Sequence, residues 1–218
     1  MTMVNSVNDI RKEFLGKLMF ADFVIDKTGC KMLEIMGASF IADEPVIFGT
    51  LNTNYAKREV EWYESQSLNV NDIPGETPAI WTSIATPDGY INSNYGYLIF
   101  SEENGNQYKN VLNELKQNPF SRRATMIYTR PSIWSDYNKD GMSDFICTNA
   151  VGYMIRDGKL HAHVVMRSND TIFGYKNDYY WQEYVLKKLA KDLDIEVGTI
   201  MWNCTSLHVY EKHFHLIK

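Results

Sequence analysis

The chain has 218 residues, 44% hydrophobic and 22% charged, which suits one domain able to bury a sizeable core. Its formal net charge of −5 argues against a protein that grips polymeric nucleic acid, because such binding relies on a basic face. No apolar run approaches the roughly 20 residues of a membrane helix, and no secretory pattern opens the chain. Three widely spaced cysteines (Cys30, Cys147 and Cys204) suggest a reducing cytoplasm rather than a disulfide framework.

Ile10, Phe14 and Leu18 recur every four residues and predict an amphipathic helix that Ser6 or Asn8 caps. "KMLEIMGASFIAD" reads as a strand. "NTNYAKREVEWYES" predicts a helix that carries Glu59 and ends before the turn-rich "NVNDIPGETP". Tyr108, Val111, Leu112 and Leu115 share one helical face in "NQYKNVLNELKQ", closed by Asn118-Pro119. "RRATMIYTR", "FICTNAVGYMI" and "LHAHVVMRS" follow as strands. The last two are joined by Arg156-Asp157-Gly158-Lys159, and Asp-Gly between apolar runs is a strong hairpin signal. Trp181, Val185 and Leu189 form the apolar stripe of a helix over "DYYWQEYVLKKLAKDL", and "GTIMWNCTSLHVY" returns to strand. With no internal repeat or linker, this is a single domain of α+β class, built on a large, partly antiparallel sheet.

Two motifs offer a metal and fail. Asp136, Asn138, Asp140 and Gly141 open like a calcium loop, but its twelfth position is Cys147, a soft ligand where calcium needs a carboxylate. His161 and His163 share one strand face without further zinc ligands at a useful spacing. No metal is assigned.

Cys147 taken alone reads as a packed thiol, the commoner fate of a cysteine. The hairpin changes that reading. It sets the Cys147 strand beside the strand that ends in Arg167-Ser168, a guanidinium and hydroxyl suited to clamping a phosphate. A thiol near a guanidinium has a lowered pKa, and the thiolate is the nucleophile.

Read with "SRR" before the cysteine and "SLHVY" after it, the "RSND…G…ND" stretch resembles the thymidylate synthase family. "DKTG", "GASFIADEP", "DIPGETP", "INSNYG" and "NKDGMSDF" are similar to its T-even-phage branch, which hydroxymethylates deoxycytidylate. The resemblance runs from about Ile10 to His213. It implies a thymidylate-synthase-like fold, a large twisted mixed sheet flanked by helices, and a homodimer packed sheet to sheet with shared active sites. It also implies a cytoplasmic enzyme of the infected bacterial cell, alongside other phage enzymes of nucleotide synthesis. The substrates implied are dCMP and the cosubstrate 5,10-methylenetetrahydrofolate.

The resemblance also carries roles. Cys147 attacks C6 of the pyrimidine, Glu59 orders water and relays protons, and Tyr95 stands near the proton lost from C5. Lys27, Arg167 and Ser168 hold the phosphate, with Arg122 and Arg123 reaching in from the partner subunit. His208 and Tyr210 read the sugar 3′-hydroxyl, while Trp81, Asp170 and Gly174 line the folate side. Family members acting on uracil carry asparagine four residues after the motif glycine, where this chain has Asp178. An amide complements O4 and N3 of uracil. A carboxyl instead accepts from the 4-amino group of cytosine and shares one proton with N3. Asp178 therefore points to dCMP, although Asp is also a preferred helix N-cap. A one-residue offset would place Asn177 at the base and favour dUMP.

Three positions depart from the synthase pattern: Ile146 replaces a proline, Thr148 a histidine, and Ser83 a second tryptophan. The family's usual tail over the folate is not found after "YEKHFHLIK", so altered folate affinity and turnover are expected. The alternatives are a reductive pyrimidine methylase, a dUMP hydroxymethylase, or a catalytically weak nucleotide-binding or partner-binding homologue.

Overall fold

A computed structural model describes residues 5–218. In chain order its elements are β1 (Asn5–Ser6), α1 (Val7–Met19), β2 (Val24–Ile25), β3 (Lys31–Ile41), α2 (Thr53–Ser65), α3 (Ala79–Ile84), α4 (Tyr95–Phe100), α5 (Gln107–Gln117), β4 (Thr125–Ile127), α6 (Ile133–Asp136), β5 (Thr148–Arg156), β6 (Lys159–Asp170), α7 (Gly174–Leu193) and β7 (Glu196–Tyr210). Strands and helices without regular alternation make this an α+β protein. They fall into two compact units, one of residues 5–51 with 156–218 and one of residues 52–155.

The first unit is a mixed sheet with strand order β1-β3-β7-β6 and β2 on β3. β7 runs antiparallel to β3 and parallel to β6. Helices α7 and α1 cover it, α7 against β6 and β7 and α1 against β3. Ser6 caps α1 through a capping box with Asp9, which satisfies two of the amide donors that a helix start leaves unpaired. Ile10 and Phe14 point inward as their spacing predicts, and Phe14 meets Phe48 edge-on. Tyr175 of α7 packs between Phe40 and Trp202 of the sheet. In the turn after β5, Asp157 and Gly158 both have positive φ, as a two-residue type I′ hairpin turn requires.

The second unit packs α2 against α4, α4 against α5, and α5 against β4, which pairs antiparallel with β5. Asn52 caps α2 and Asn94 caps α4. The buried Asn94 side chain also donates to the carbonyls of Trp62 and Ser67, tying α4 to the end of α2. A Cβ at Gly96 would stand 1.7 Å from the Tyr63 carbonyl oxygen, so the two helices meet backbone to backbone.

Several boundaries differ from the sequence reading. The strand expected over 122–130 shrinks to β4. Ser121 and Arg123 turn to Glu114 instead, and the amides of Tyr128 and Thr129 share the carbonyl of Asn149. β5 begins after Cys147, not before it. Helices α3 and α4, six residues each, are too short to show a period and were not expected. Helix α7 starts at Gly174, so Asp178 lies inside it and is not its N-cap.

Replacing Gly96 by Ala drives a methyl group into backbone that cannot swing aside. The variant should unfold with about 2–3 kcal/mol less stability or fail to accumulate, read from denaturant unfolding.

Candidate active site

In the second unit, α2 presents Tyr55 and Glu59 one turn apart on the same face. The Tyr55 hydroxyl donates to Glu59, and the Trp81 indole of α3 donates to Tyr55 at 3.0 Å and to Glu59 Oε1 at 3.1 Å. Glu59 is buried, and burial pushes its carboxyl up to about 7 although both hydrogen bonds act to lower it. Burial, with the Glu59 charge beside it, also holds the Tyr55 phenol far above its ordinary range. Trp81 meets Trp62 edge-on while remaining partly exposed itself, so an aromatic face stays open beside the carboxyl.

A second aromatic chain leads to the cysteine. Tyr63 stacks on Tyr95, Tyr95 meets Tyr128 edge-on, and Thr148 Oγ1 donates to the Tyr95 hydroxyl at 3.0 Å. Cys147 is half-buried immediately before Thr148, with its sulfur 3.8 Å from the Phe145 carbonyl oxygen. The approach to it is held by Asp144. That buried carboxylate accepts from the amides of Asn92 (2.7 Å) and Ser93 (2.8 Å) and from the Ser93 hydroxyl (2.6 Å). Nothing in the sequence marked Asp144, because its partners lie about fifty positions away. Arg122 and Arg123 are exposed, and Arg123 pairs with Glu114 at 3.0 Å.

In the first unit, register places the polar ends of three strands together. Ser168 faces Ser206 and Asp170 faces His208 across β6 and β7, while Glu34 and Met32 of β3 face His208 and Tyr210. His208 and Tyr210 meet edge-on at 5.1 Å. The turn after β2 carries Asp26 and the exposed Lys27. Burial foremost, and then the charge of Asp26, raises the Tyr210 phenol. Arg167 precedes Ser168 on β6 and is partly buried.

Asp170 accepts from the amides of Ile172 and Phe173 (3.1 and 2.9 Å) and so shapes the entry to α7. Gly174 and Asp178 are four residues apart and share a helix face. Asp178 Oδ2 accepts from Asn169 Nδ2 at 2.7 Å, a contact that sequence reasoning missed.

At the two motifs weighed for a metal, the side chains have protein partners. Asp136 accepts from Arg130 and Ser132, His161 bonds Thr199, and His163 bonds Asn203. No group of three or more His, Cys, Asp or Glu suited to a metal occurs among the described residues. Among them too, no helix is long and apolar enough to cross a membrane.

A nucleophile candidate and a buried carboxyl poised near neutrality, both in the second unit, are ingredients of covalent chemistry. The family model for thymidylate synthase matches residues 26–218. The chain belongs to the thymidylate synthase family. The deoxycytidylate 5-hydroxymethyltransferases of Enterobacteria phages T4 and T2 are each 58% identical to it over 219 residues, covering 97% of this chain and 89% of theirs. Thermostable thymidylate synthase A from Bacillus subtilis shares the fold with a TM-score of 0.72 at 23% identity, over 94% of this chain and 80% of that one.

The Glu59 proton is held more tightly by the folded chain than by the unfolded one. Its contribution to stability is therefore full below pH 4.5 and declines as pH rises through about 7. Glu59→Gln removes that decline, worth about 3 kcal/mol at most. Unfolding measured from pH 4.5 to 8 should show the variant gaining on the wild type as pH rises.

Proposed function

We propose that the chain is a deoxycytidylate 5-hydroxymethyltransferase and that residues 1–218 act as one catalytic domain. The reaction moves a one-carbon unit from 5,10-methylenetetrahydrofolate to C5 of dCMP with addition of water, giving 5-hydroxymethyl-dCMP and tetrahydrofolate. The observation that carries this reading is a carboxyl, Asp178, held by Asn169; the resemblance assigns its position, four residues after Gly174, to an amide in family members that act on uracil. The 58% identity to phage enzymes named for this activity supports it.

The chemistry assigns a task to each group. The Cys147 sulfur bonds to C6, and the electron pair of the C5–C6 double bond becomes available at C5. A soft thiolate suits this weak electrophile better than any oxygen nucleophile. Asp178 accepts from the 4-amino group and shares a proton with N3, which draws electrons from the ring and favours the attack. Lys27, Arg167 and Ser168 hold the phosphate, and His208 and Tyr210 the 3′-hydroxyl. Tyr95 stands near C5, where its hydroxyl passes the departing proton on to water. Glu59, with its carboxyl near neutrality, positions and deprotonates the water that adds to the exocyclic carbon; expulsion of the sulfur from C6 then restores the ring.

The folate cosubstrate supplies the one-carbon unit at the oxidation level of formaldehyde. Trp81, Asp170 and Gly174 would hold it. The fit rests on one feature of this chain: the partly exposed Trp81 indole offers a flat apolar face.

A homodimer with Arg122 and Arg123 lent to the partner's phosphate is part of this proposal. Met36, 81% exposed in the middle of β3, offers a second copy an apolar contact point. The arginines are exposed, as groups reaching across an interface would be in a lone chain.

dCMP tritiated at C5 should release tritium in the presence of tetrahydrofolate, and Cys147→Ser should abolish release while nucleotide affinity stays within about tenfold. Absence of release from the wild type would instead indicate a binding protein. Mixing inactive Arg123→Ala with inactive Cys147→Ser should restore activity in hybrids, because one site of each mixed dimer keeps both residues. No recovery once subunit exchange has been demonstrated would rule out shared sites.

A further inference from the structure

We infer that Asn169 is a second specificity-determining residue, whose buried side-chain oxygen accepts a hydrogen bond from the 4-amino group of cytosine. The inference rests on the proposed reading of Asp178 as the group that recognises the base. Asn169 lies near the end of β6 opposite Leu207 and is 3% exposed. Its amide nitrogen donates to Asp178 Oδ2 at 2.7 Å. The two ends of an asparagine amide are distinguished by their partners, and a carboxylate oxygen can only accept. The NH2 end must therefore face Asp178, which leaves Oδ1 at the other end.

That Oδ1 is buried and has no hydrogen-bond partner. Folded proteins carry few such atoms, and an orphaned acceptor beside a binding carboxyl calls for a donor from outside the chain. Gly174 packs closely against the nitrogen end of the pair and helps fix the amide: a Cβ there would stand 3.0 Å from Asn169 Nδ2 and 3.7 Å from Asp178 Oδ2.

Two acceptors, Asn169 Oδ1 and the Asp178 carboxyl, match one group that carries two N–H hydrogens. The exocyclic amino group of cytosine is such a group. Uracil presents a carbonyl oxygen at the same position, which would set a third acceptor against the first two and leave all of them unpaired. Cytosine is thus selected twice, by the proton shared at N3 and by the second amino hydrogen. Asn169 can turn its amide over only if Asp178 ceases to be an acceptor, so the two residues act as a set.

The test is calorimetric binding of dCMP and of dUMP to the full chain, which needs no folate. In Asn169→Ala, and in Asn169→Leu, which keeps the volume if alanine leaves the protein unfolded, affinity for dCMP should fall at least about tenfold. Affinity for dUMP should stay within about twofold, a split that loss of structure would not produce. Asp178→Asn is the comparison. If it lowers the preference for dCMP while folded Asn169 variants leave that preference unchanged, Asn169 has no role in recognition and the Asp178 reading stands. If the wild type fails to prefer dCMP, or Asp178→Asn leaves the preference intact, the underlying reading fails and the inference with it.

Discussion

Strand β7 is fifteen residues long and hydrogen-bonded along most of its length to β3 on one side and β6 on the other. That double pairing is the constraint on which the first unit depends. A slip of one residue in either register would turn every side chain of the slipped strand to the opposite face. Apolar residues make such a slip costly, since Trp202, Leu207, Val209, Leu33, Phe40 and Val164 are all fully buried. The core therefore fixes the register, and the register sets Ser168, Asp170, Glu34 and His208 side by side at the polar strand ends. Packing energy from one part of the sheet is what positions charge at another.

The second unit reaches a similar result by polar means. Asp144 and Asn94 lie in loops or at helix starts, where backbone amides lack ladder partners, and each satisfies several groups at once. Asp144 holds residues 92–93 to the segment leading into Cys147. Asn94 holds the start of α4 to the end of α2, so that Tyr95 and Glu59 sit on braced helices. Removing either side chain would leave several buried groups unpaired, each expensive. These residues are better regarded as joints than as surface decoration.

Much of this was legible in the sequence for physical reasons. Helices α1, α2, α5 and α7 are long enough for an apolar stripe to repeat, and Asp157-Gly158 supplies the positive φ values its turn needs. What escaped was contact across distance in the chain. Nothing local in Asp144 announces Asn92 and Ser93, and nothing in Asn169 announces Asp178 nine residues on. Competition for hydrogen bonds also misled: Arg123 looks strand-like in pattern, but its amide donates to the Ser121 hydroxyl and its guanidinium to Glu114. Asp178 reads as a cap from composition, yet stands in the second turn of α7 because that helix begins at Gly174. The side chains around Cys147, Glu59 and Arg167 could be chosen from motif and resemblance. Their hydrogen-bond partners, and the burial that sets Glu59 near neutrality, could only come from the fold.

A carboxyl with a pKa of about 7 has a thermodynamic property that an ordinary glutamate lacks. At neutral pH its charged and uncharged forms are nearly equal in free energy, so a proton can leave or arrive with almost no uphill step. Because Tyr55 and Trp81 supply donors to one of its oxygens in either form, little reorganisation accompanies the change. Glu59 is in effect a one-proton buffer carried on a helix, able to take a proton from water or return it at little cost.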